Sequence, residues 1–270
     1  WPERFSAEKI DAIRRRTGPN KFAGQMMLRP RNLAEGRLDA ERLRFYDHDL
    51  DYREGNNEAT LALAGKRLLS ASCWWDPAYG APGRGDASVI AAVYTDADGD
   101  YWLHRVRYLE FDPQKTAAVD EATQLCRQVA AFIDDLYLPS VTLETNGLGR
   151  FLPGLLRGEL KAAAVVAAVI EKASTRNKDL RILDAFDAPL AAGRLHAHRS
   201  VAQTPFIDEM REWRPGSGGR DDGLDAVSGC LLAEPVRLPR LPRAAAKELK
   251  SKTGWRPGRG GFRADTEFSV

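Results

Sequence analysis

The chain predicts an α/β domain, a mixed sheet with helices on both faces, and three observations carry that prediction. Residues 68–75 form a largely apolar run fit for a central strand. Two more extended runs follow it, over 88–95 and 101–108, as a meander. From residue 116 onward helical and extended patterns alternate. A meander followed by alternating helices and strands builds a mixed sheet that is covered on both sides.

Taken in order, Ser6 caps a short helix running to residue 16, which Gly18-Pro19 stops. A charged stretch with weak apolar periodicity follows, through Arg29-Pro30-Arg31-Asn32 to residue 57, and residues 1–60 read as a linker or lid. The strand over 68–75 is closed by Asp76 and Pro77, and residues 77–85 are a turn-rich loop. Asp96-Ala97-Asp98-Gly99-Asp100 joins the next two strands as a hairpin. Val119, Leu125, Val129, Phe132, Ile133 and Leu136 give helical spacing over 116–136. A short strand over 141–144 leads through Asn146-Gly147 to a helix over 151–160 with Pro153 in its first turn. Then come a strand over 164–170, a helix over 177–191, a strand over 195–197, and helices over 204–213 and 222–233. Beyond Pro235 the proline, glycine and arginine content argues against a packed core.

With 270 residues, 43% of them hydrophobic, the chain has room for one large domain with appendages. The net charge is only +2, yet Arg237, Arg240, Arg243, Lys247, Lys250, Lys252, Arg256, Arg259 and Arg263 make the end basic. Such a tail attracts polyanions, nucleic acid above all, through counterion release; a solvated tail that aids solubility is the alternative. Cys73, Cys126 and Cys230 show no CxxC spacing and point to reduced thiols in a cytosolic setting. No apolar stretch approaches a membrane span, and no GxxxxGK[ST] phosphate loop occurs. Beginning at Trp1 rather than Met, the chain is expected to be a piece of something longer.

The acidic residues at element ends carry the chemistry. Asp76 closes a buried strand, Glu144 closes the short run Val141-Thr142-Leu143, and Asp221-Asp222-Gly223-Leu224-Asp225 opens the last helix. Asp222 and Asp225 are three apart and share a helical face. Carboxylates far apart in sequence but all at element ends can converge on one sheet edge. That convergence is costly unless a hard cation neutralises it, and Mg²⁺ or Mn²⁺ suits oxygen ligands. The chemistry expected of such a cluster is metal-dependent phosphodiester cleavage, with two ions about 4 Å apart bridged by a strand carboxylate. Each acid also has a structural alternative: an Asx turn for Asp76, a paired charge for Glu144, helix capping for Asp221, Asp222 and Asp225.

Trp75-Asp76-Pro77-Ala78, Leu143-Glu144-Thr145-Asn146-Gly147, Asn177-Lys178-Asp179-Leu180-Arg181-Ile182 and Asp221-Asp222-Gly223-Leu224-Asp225-Ala226, in this order and spacing, resemble the nuclease domain of the phage terminase large subunit, the DNA-packaging motor protein. The opening stretch, Trp1-Pro2-Glu3-Arg4-Phe5 through Phe22-Ala23-Gly24-Gln25-Met26 to Pro30, is similar to the segment leaving that family's ATPase domain. The resemblance spans about residues 1–233. It implies an RNase H-like fold over 61–235, preceded by an ATPase-exit segment over 1–60 and followed by a basic tail over 236–270. It implies an endonuclease that cuts double-stranded DNA concatemers during viral genome packaging in the host cytoplasm. Two Mg²⁺ or Mn²⁺ ions would be its cofactors, and the portal protein and terminase small subunit its partners. Carried over by position, Asp76, Glu144 and Asp222 or Asp225 are the metal ligands. Lys178 and Arg181 match the family's basic helix motif and would contact phosphate, with a solvated i,i+3 basic pair as the alternative. Arg84, in the loop after Asp76, would add to the DNA grip. The family's histidine before the last aspartate is absent from Asp221-Asp222-Gly223, which leaves the third ligand open.

His196 and His198 share one face of a strand and suggest a metal pair, but no third soft ligand accompanies them. Asp96, Asp98 and Asp100 mimic part of a calcium loop that lacks its closing glutamate, so a hairpin turn explains them better. Asp86 stands where the loop after Asp76 could bring it to the site, and Trp74 and Trp75 read as core. Two rival functions remain, another RNase H-like nuclease of resolvase or transposase type and a non-catalytic module that grips DNA or docks to the portal, beside a generic α/β domain with no nucleic-acid role.

Overall fold

The computed structural model describes residues 4–28, 38–55, 58–79, 86–145, 151–173 and 177–238. In chain order the elements are α1 (Ala7–Thr17), α2 (Pro19–Gln25), β1 (Arg44–Tyr46), β2 (Leu50–Gly55), β3 (Glu58–Leu63), β4 (Lys66–Asp76), β5 (Ser88–Asp96) and β6 (Tyr101–Leu109). They continue with α3 (Glu121–Asp135), β7 (Ser140–Glu144), α4 (Leu152–Ala162), β8 (Ala168–Lys172), α5 (Lys178–Ala191), β9 (Leu195–His198), α6 (Phe206–Glu212), α7 (Asp222–Leu232) and β10 (Val236–Arg237).

The sheet is organised about β4. On one side β4 pairs antiparallel with β5, and β5 pairs antiparallel with β6. Its other side is shared along its length: β3 pairs at Lys66 and Arg67, β10 at Ser70 and Ala71, and β7 at Trp74 and Trp75. The β4–β7 and β7–β8 pairs are parallel. The central order β6-β5-β4-β7-β8, a meander followed by parallel strands, is the RNase H-like arrangement. Beyond β6 the sheet is extended by β9 and then β1, both parallel to their neighbours.

Because β4 lies mid-sheet, successive side chains bury on opposite faces. Cys73 and Trp75 join Ile90, Ala92 and Tyr94 beneath Leu125, Val129, Phe132 and Ile133 of α3 and Leu152 and Leu156 of α4. Trp74 joins Val89, Ala91 and Val93 on the other face, against Ile182 and Phe186 of α5, Phe206 and Met210 of α6 and Leu224 and Val227 of α7. Both tryptophans are core. α7 lies flush on the sheet: a Cβ at Gly229 would stand 2.3 Å from the Trp74 ring. Cys73, Cys126 and Cys230 are buried free thiols. Among the described residues no helix is long and apolar enough to cross a membrane.

Differences from expectation have local causes. The segment read as linker contains β1, β2 and the start of β3. In β2, Leu50 and Tyr52 are half-buried between exposed Asp51 and Arg53, a two-residue alternation too short to stand out, while Arg44 and Phe45 of β1 are both exposed. α3 begins at Glu121, after Asp120, whose carboxylate accepts the Thr123 amide at 2.9 Å. β8 begins later than expected, after Ala164 turns at φ 55°, and as an edge strand it is mostly exposed. Val236 and Arg237, expected in the tail, pair with β4, and Leu238 packs into the core. Residues 239–270 lie outside the described residues.

Candidate active site

Asp76 and Glu144 are set side by side by strand register. Trp75 pairs with Leu143 across the parallel β4–β7 ladder, so the next residue on each strand is a carboxylate at the same sheet edge. Both strands end there, β4 at Asp76 before Pro77 and β7 at Glu144 before Thr145. The first turn of α7 lies across the same edge and carries Asp222 and Asp225, both buried. The first turn of α5 brings in Lys178 and Arg181 from the third side, with Asn177 Oδ1 accepting the Leu180 amide at 3.2 Å as its cap.

The two cations turn inward. Arg181 is only 9% exposed, so the solvated basic pair does not describe it. Its guanidinium donates to Glu144 Oε2 at 3.3 Å and to Asp225 Oδ1. Lys178 Nζ lies 2.8 Å from Asp221 Oδ1 and 3.4 Å from Asp225 Oδ2. Its side chain keeps 39% exposure and rims the site.

The carboxylates repel one another. Burial pushes Asp76 up to about 8, and Asp225, Glu144 and Asp222 add to that rise while Lys178 opposes it. Glu144 is raised by burial and by Asp225, against the pull of Arg181. Burial also raises Asp222, opposed by the Ala87 amide, which donates to Asp222 Oδ2 at 3.0 Å; Asp86 adds to the rise. Lys178 is held above the usual lysine range, because Asp225, Asp221 and Asp76 outweigh its burial.

Glu209 of α6 was not singled out from sequence. It is buried, and its carboxylate accepts Tyr108 Oη at 2.7 Å and the amides of Gly223 and Leu224 at 2.9 and 3.3 Å. The available signal was an acid on the apolar stripe of α6, between Phe206 and Met210.

The remaining candidates lie apart from this edge. His196 stacks on Trp102 with ring centroids 4.3 Å apart, and His198 Nδ1 meets Ser200 Oγ at 2.7 Å. His104 lies beside them, its Nδ1 3.0 Å from Tyr46 Oη, and burial, then His198 and Arg105, push it down to about 3. Asp96 serves its hairpin: one oxygen accepts the amides of Asp98 and Asp100, the other Trp102 Nε1 at 3.0 Å. Arg84 lies outside the described residues.

Among the described residues no three carboxylate, imidazole or thiol groups are already spaced to hold an ion. The donor set nonetheless fits Mg²⁺ or Mn²⁺ in its chemistry. It is all oxygen, it is more acidic than Lys178 and Arg181 neutralise, and its members raise one another's proton affinity. Asp76, Glu144 and Asp225 or Asp222 are the residues that could hold such an ion.

No family model and no curated protein sequence matches the chain. Among solved structures, the chain is similar to the human cytomegalovirus terminase nuclease domain, Mn soaked, at 13% identity, 60% coverage of this chain, 82% of that chain and a TM-score of 0.44. It is similar to the nuclease domain of the large terminase subunit gp2 of bacterial virus Sf6 at 11% identity, 61% and 89% coverage and a TM-score of 0.40. It is also similar to the yeast mitochondrial Holliday junction resolvase Ydc2 at 10% identity, 60% and 78% coverage and a TM-score of 0.35.

Proposed function

We propose that the protein is a metal-dependent endonuclease acting on double-stranded DNA, of the terminase nuclease kind. The observation that carries this reading is the meeting of Asp76, Glu144 and Asp225 at one sheet edge, with Asp76 held on the central strand. A buried excess of carboxylates is expensive to keep and has no structural use that a polar cap would not serve more cheaply. Divalent cations, when bound, supply an acidified attacking water and charge stabilisation for the leaving 3′-oxygen.

The chain's own residues then divide the work. Asp76, Glu144 and Asp225 offer the oxygens; Asp225 is preferred over Asp222 as third ligand because, of the neighbouring acids, it bears most on both Asp76 and Glu144. Arg181 spans Glu144 and Asp225 and holds the acids together until a cation shares them. Lys178, on the rim, meets a DNA phosphate. No histidine stands at this edge among the described residues, so proton removal falls to the carboxylates and solvent. The place in genome packaging, with the portal protein and small subunit as partners, rests on the motif resemblance.

Cleavage of supercoiled plasmid with Mg²⁺, Mn²⁺ or EDTA tests the reading, with Asp76→Ala alongside. Metal-dependent nicking and linearisation that the variant loses is the expected result. Cleavage retained by Asp76→Ala defeats the site assignment, and binding without cleavage in any metal favours the grip or docking module. Preference for four-way junctions over duplex favours the resolvase reading.

A further inference from the structure

The amides that open α7 need acceptors, because the first turn of any helix leaves its N–H groups without intrahelical partners. Asp221 stands at the N-cap position but makes no side-chain cap bond; its carboxylate reaches Lys178 instead. The acceptor comes from another element. Glu209 Oε2, on α6, takes both the Gly223 and Leu224 amides, while Oε1 takes the Tyr108 hydroxyl from β6. Glu209 is 4% exposed, and a carboxylate buried that far is kept only where its lone pairs are used.

The seat is tight. A Cβ at Gly223 would stand 2.2 Å from Tyr108 Oη and 2.8 Å from Glu209 Oε2, so a side chain there would have to push this pair aside. Asp222 and Asp225 flank Gly223 and Leu224 on that same turn. Their direction toward the ends of β4 and β7 is therefore fixed by how the turn is held, and two of its amides are held by one carboxylate.

We propose that Glu209 is a positioning residue for the acidic site: through the first turn of α7 it holds Asp222 and Asp225 toward Asp76. Its effect on cleavage rests on the nuclease reading, while its effect on the turn does not. A role confined to joining α6 to α7 would lower stability without changing how the site takes a cation.

The full chain carrying Glu209→Ala, Glu209→Asp or Glu209→Gln separates the two. Amide exchange at Gly223 and Leu224 is followed in EDTA, and nicking is titrated with Mn²⁺. Glu209→Asp pulls the carboxylate back from the turn; the expected result is faster exchange at those amides with α3 still protected. The Mn²⁺ needed for half-maximal nicking should rise about 10- to 100-fold, as for other outer-shell positions. Glu209→Gln keeps a carbonyl for both amides and should restore most of the wild-type requirement. Unchanged exchange and unchanged Mn²⁺ requirement in Glu209→Asp overturn the proposal, as does a glutamine variant no better than Asp. Should Glu209→Ala fail to fold, the Asp and Gln variants decide alone. A wild-type protein that cuts nothing overturns the nuclease reading. In that case a weaker Mn²⁺-induced rise in Tm for Glu209→Asp, with lost amide protection, still supports positioning, and wild-type behaviour on both overturns it.

Discussion

Arg181 joins Glu144 to Asp225 through one guanidinium, tying the end of β7 to the first turn of α7 from a third element, α5. All three side chains are nearly buried, so the attraction is screened little by solvent and the desolvation of each charge is offset only by the others.

Removing that guanidinium leaves Glu144 and Asp225 without the counter-charge they share, beside Asp76. Arg181→Ala should cost about 3–5 kcal/mol of stability in EDTA, the usual penalty for breaking a buried pair from one side. Saturating Mn²⁺ should recover much of it, because a divalent cation takes over the neutralisation. Urea unfolding with and without metal measures both. An equal loss in EDTA and Mn²⁺ would mean the carboxylates do not share a cation.

Asp76 sets a pH dependence. Its carboxyl titrates at about 8 in the folded protein against an ordinary value of 3.8, so between those values the folded state holds a proton that the unfolded state has released. Stability from this group is full below about pH 4 and is lost as pH rises through about 8. Glu144 and Asp222, both raised, act in the same direction. Asp76→Asn should flatten the slope and exceed wild type in Tm at pH 8–9 in EDTA, since each unit of raised pKa is worth about 1.4 kcal/mol. Mn²⁺ should raise the wild-type Tm at that pH and leave the Asn variant little changed. A wild-type Tm that climbs from pH 5 to 8 would contradict the sign.

Asp225 and Asp222 should separate under neutral substitution. Asp225→Asn removes the acid that bears most on Asp76 and Glu144, and cleavage should fall by at least about 100-fold. Asp222→Asn keeps an oxygen to accept the Ala87 amide and should fall by no more than about 10-fold, mainly through a higher Mn²⁺ requirement. Initial nicking rates at several Mn²⁺ concentrations resolve the two. The reverse ranking would make Asp222 the third ligand.

Sequence pattern exposed the acids because each stands where an apolar run stops: Asp76 after Trp74-Trp75, Glu144 after Val141-Thr142-Leu143. The alternation from β7 to α7 was equally legible, since buried strands and amphipathic helices leave strong periodic signals. Arg181 was visible only as half of a basic pair; that it bridges two carboxylates depends on α5 docking over the sheet edge, which no local pattern encodes. Glu209 was hidden for the same reason, its partners lying on β6 and α7. β1 and β2 escaped notice because a three-residue strand and a half-exposed hairpin bury too little to leave a period.

The spacing between α7 and β4 depends on Gly229 and Trp74. A methyl at Gly229 would stand 2.3 Å from the indole, so Gly229→Ala must push the helix off the strand or force the ring from its place. Overpacking of this kind costs about 1–3 kcal/mol. Trp74 lies two residues before Asp76 on the same face of β4, and Asp225 lies one helical turn before Gly229 on α7. A displaced helix therefore carries Asp225 away from Asp76, and cleavage should fall along with stability. Trp74→Phe gives the methyl room at the expense of a cavity, so the double variant should lose clearly less stability than the two single losses added together. A double-mutant cycle by urea unfolding reads this coupling directly. Strict additivity would mean that α7 does not rest on the Trp74 ring, and the site geometry would then need another support.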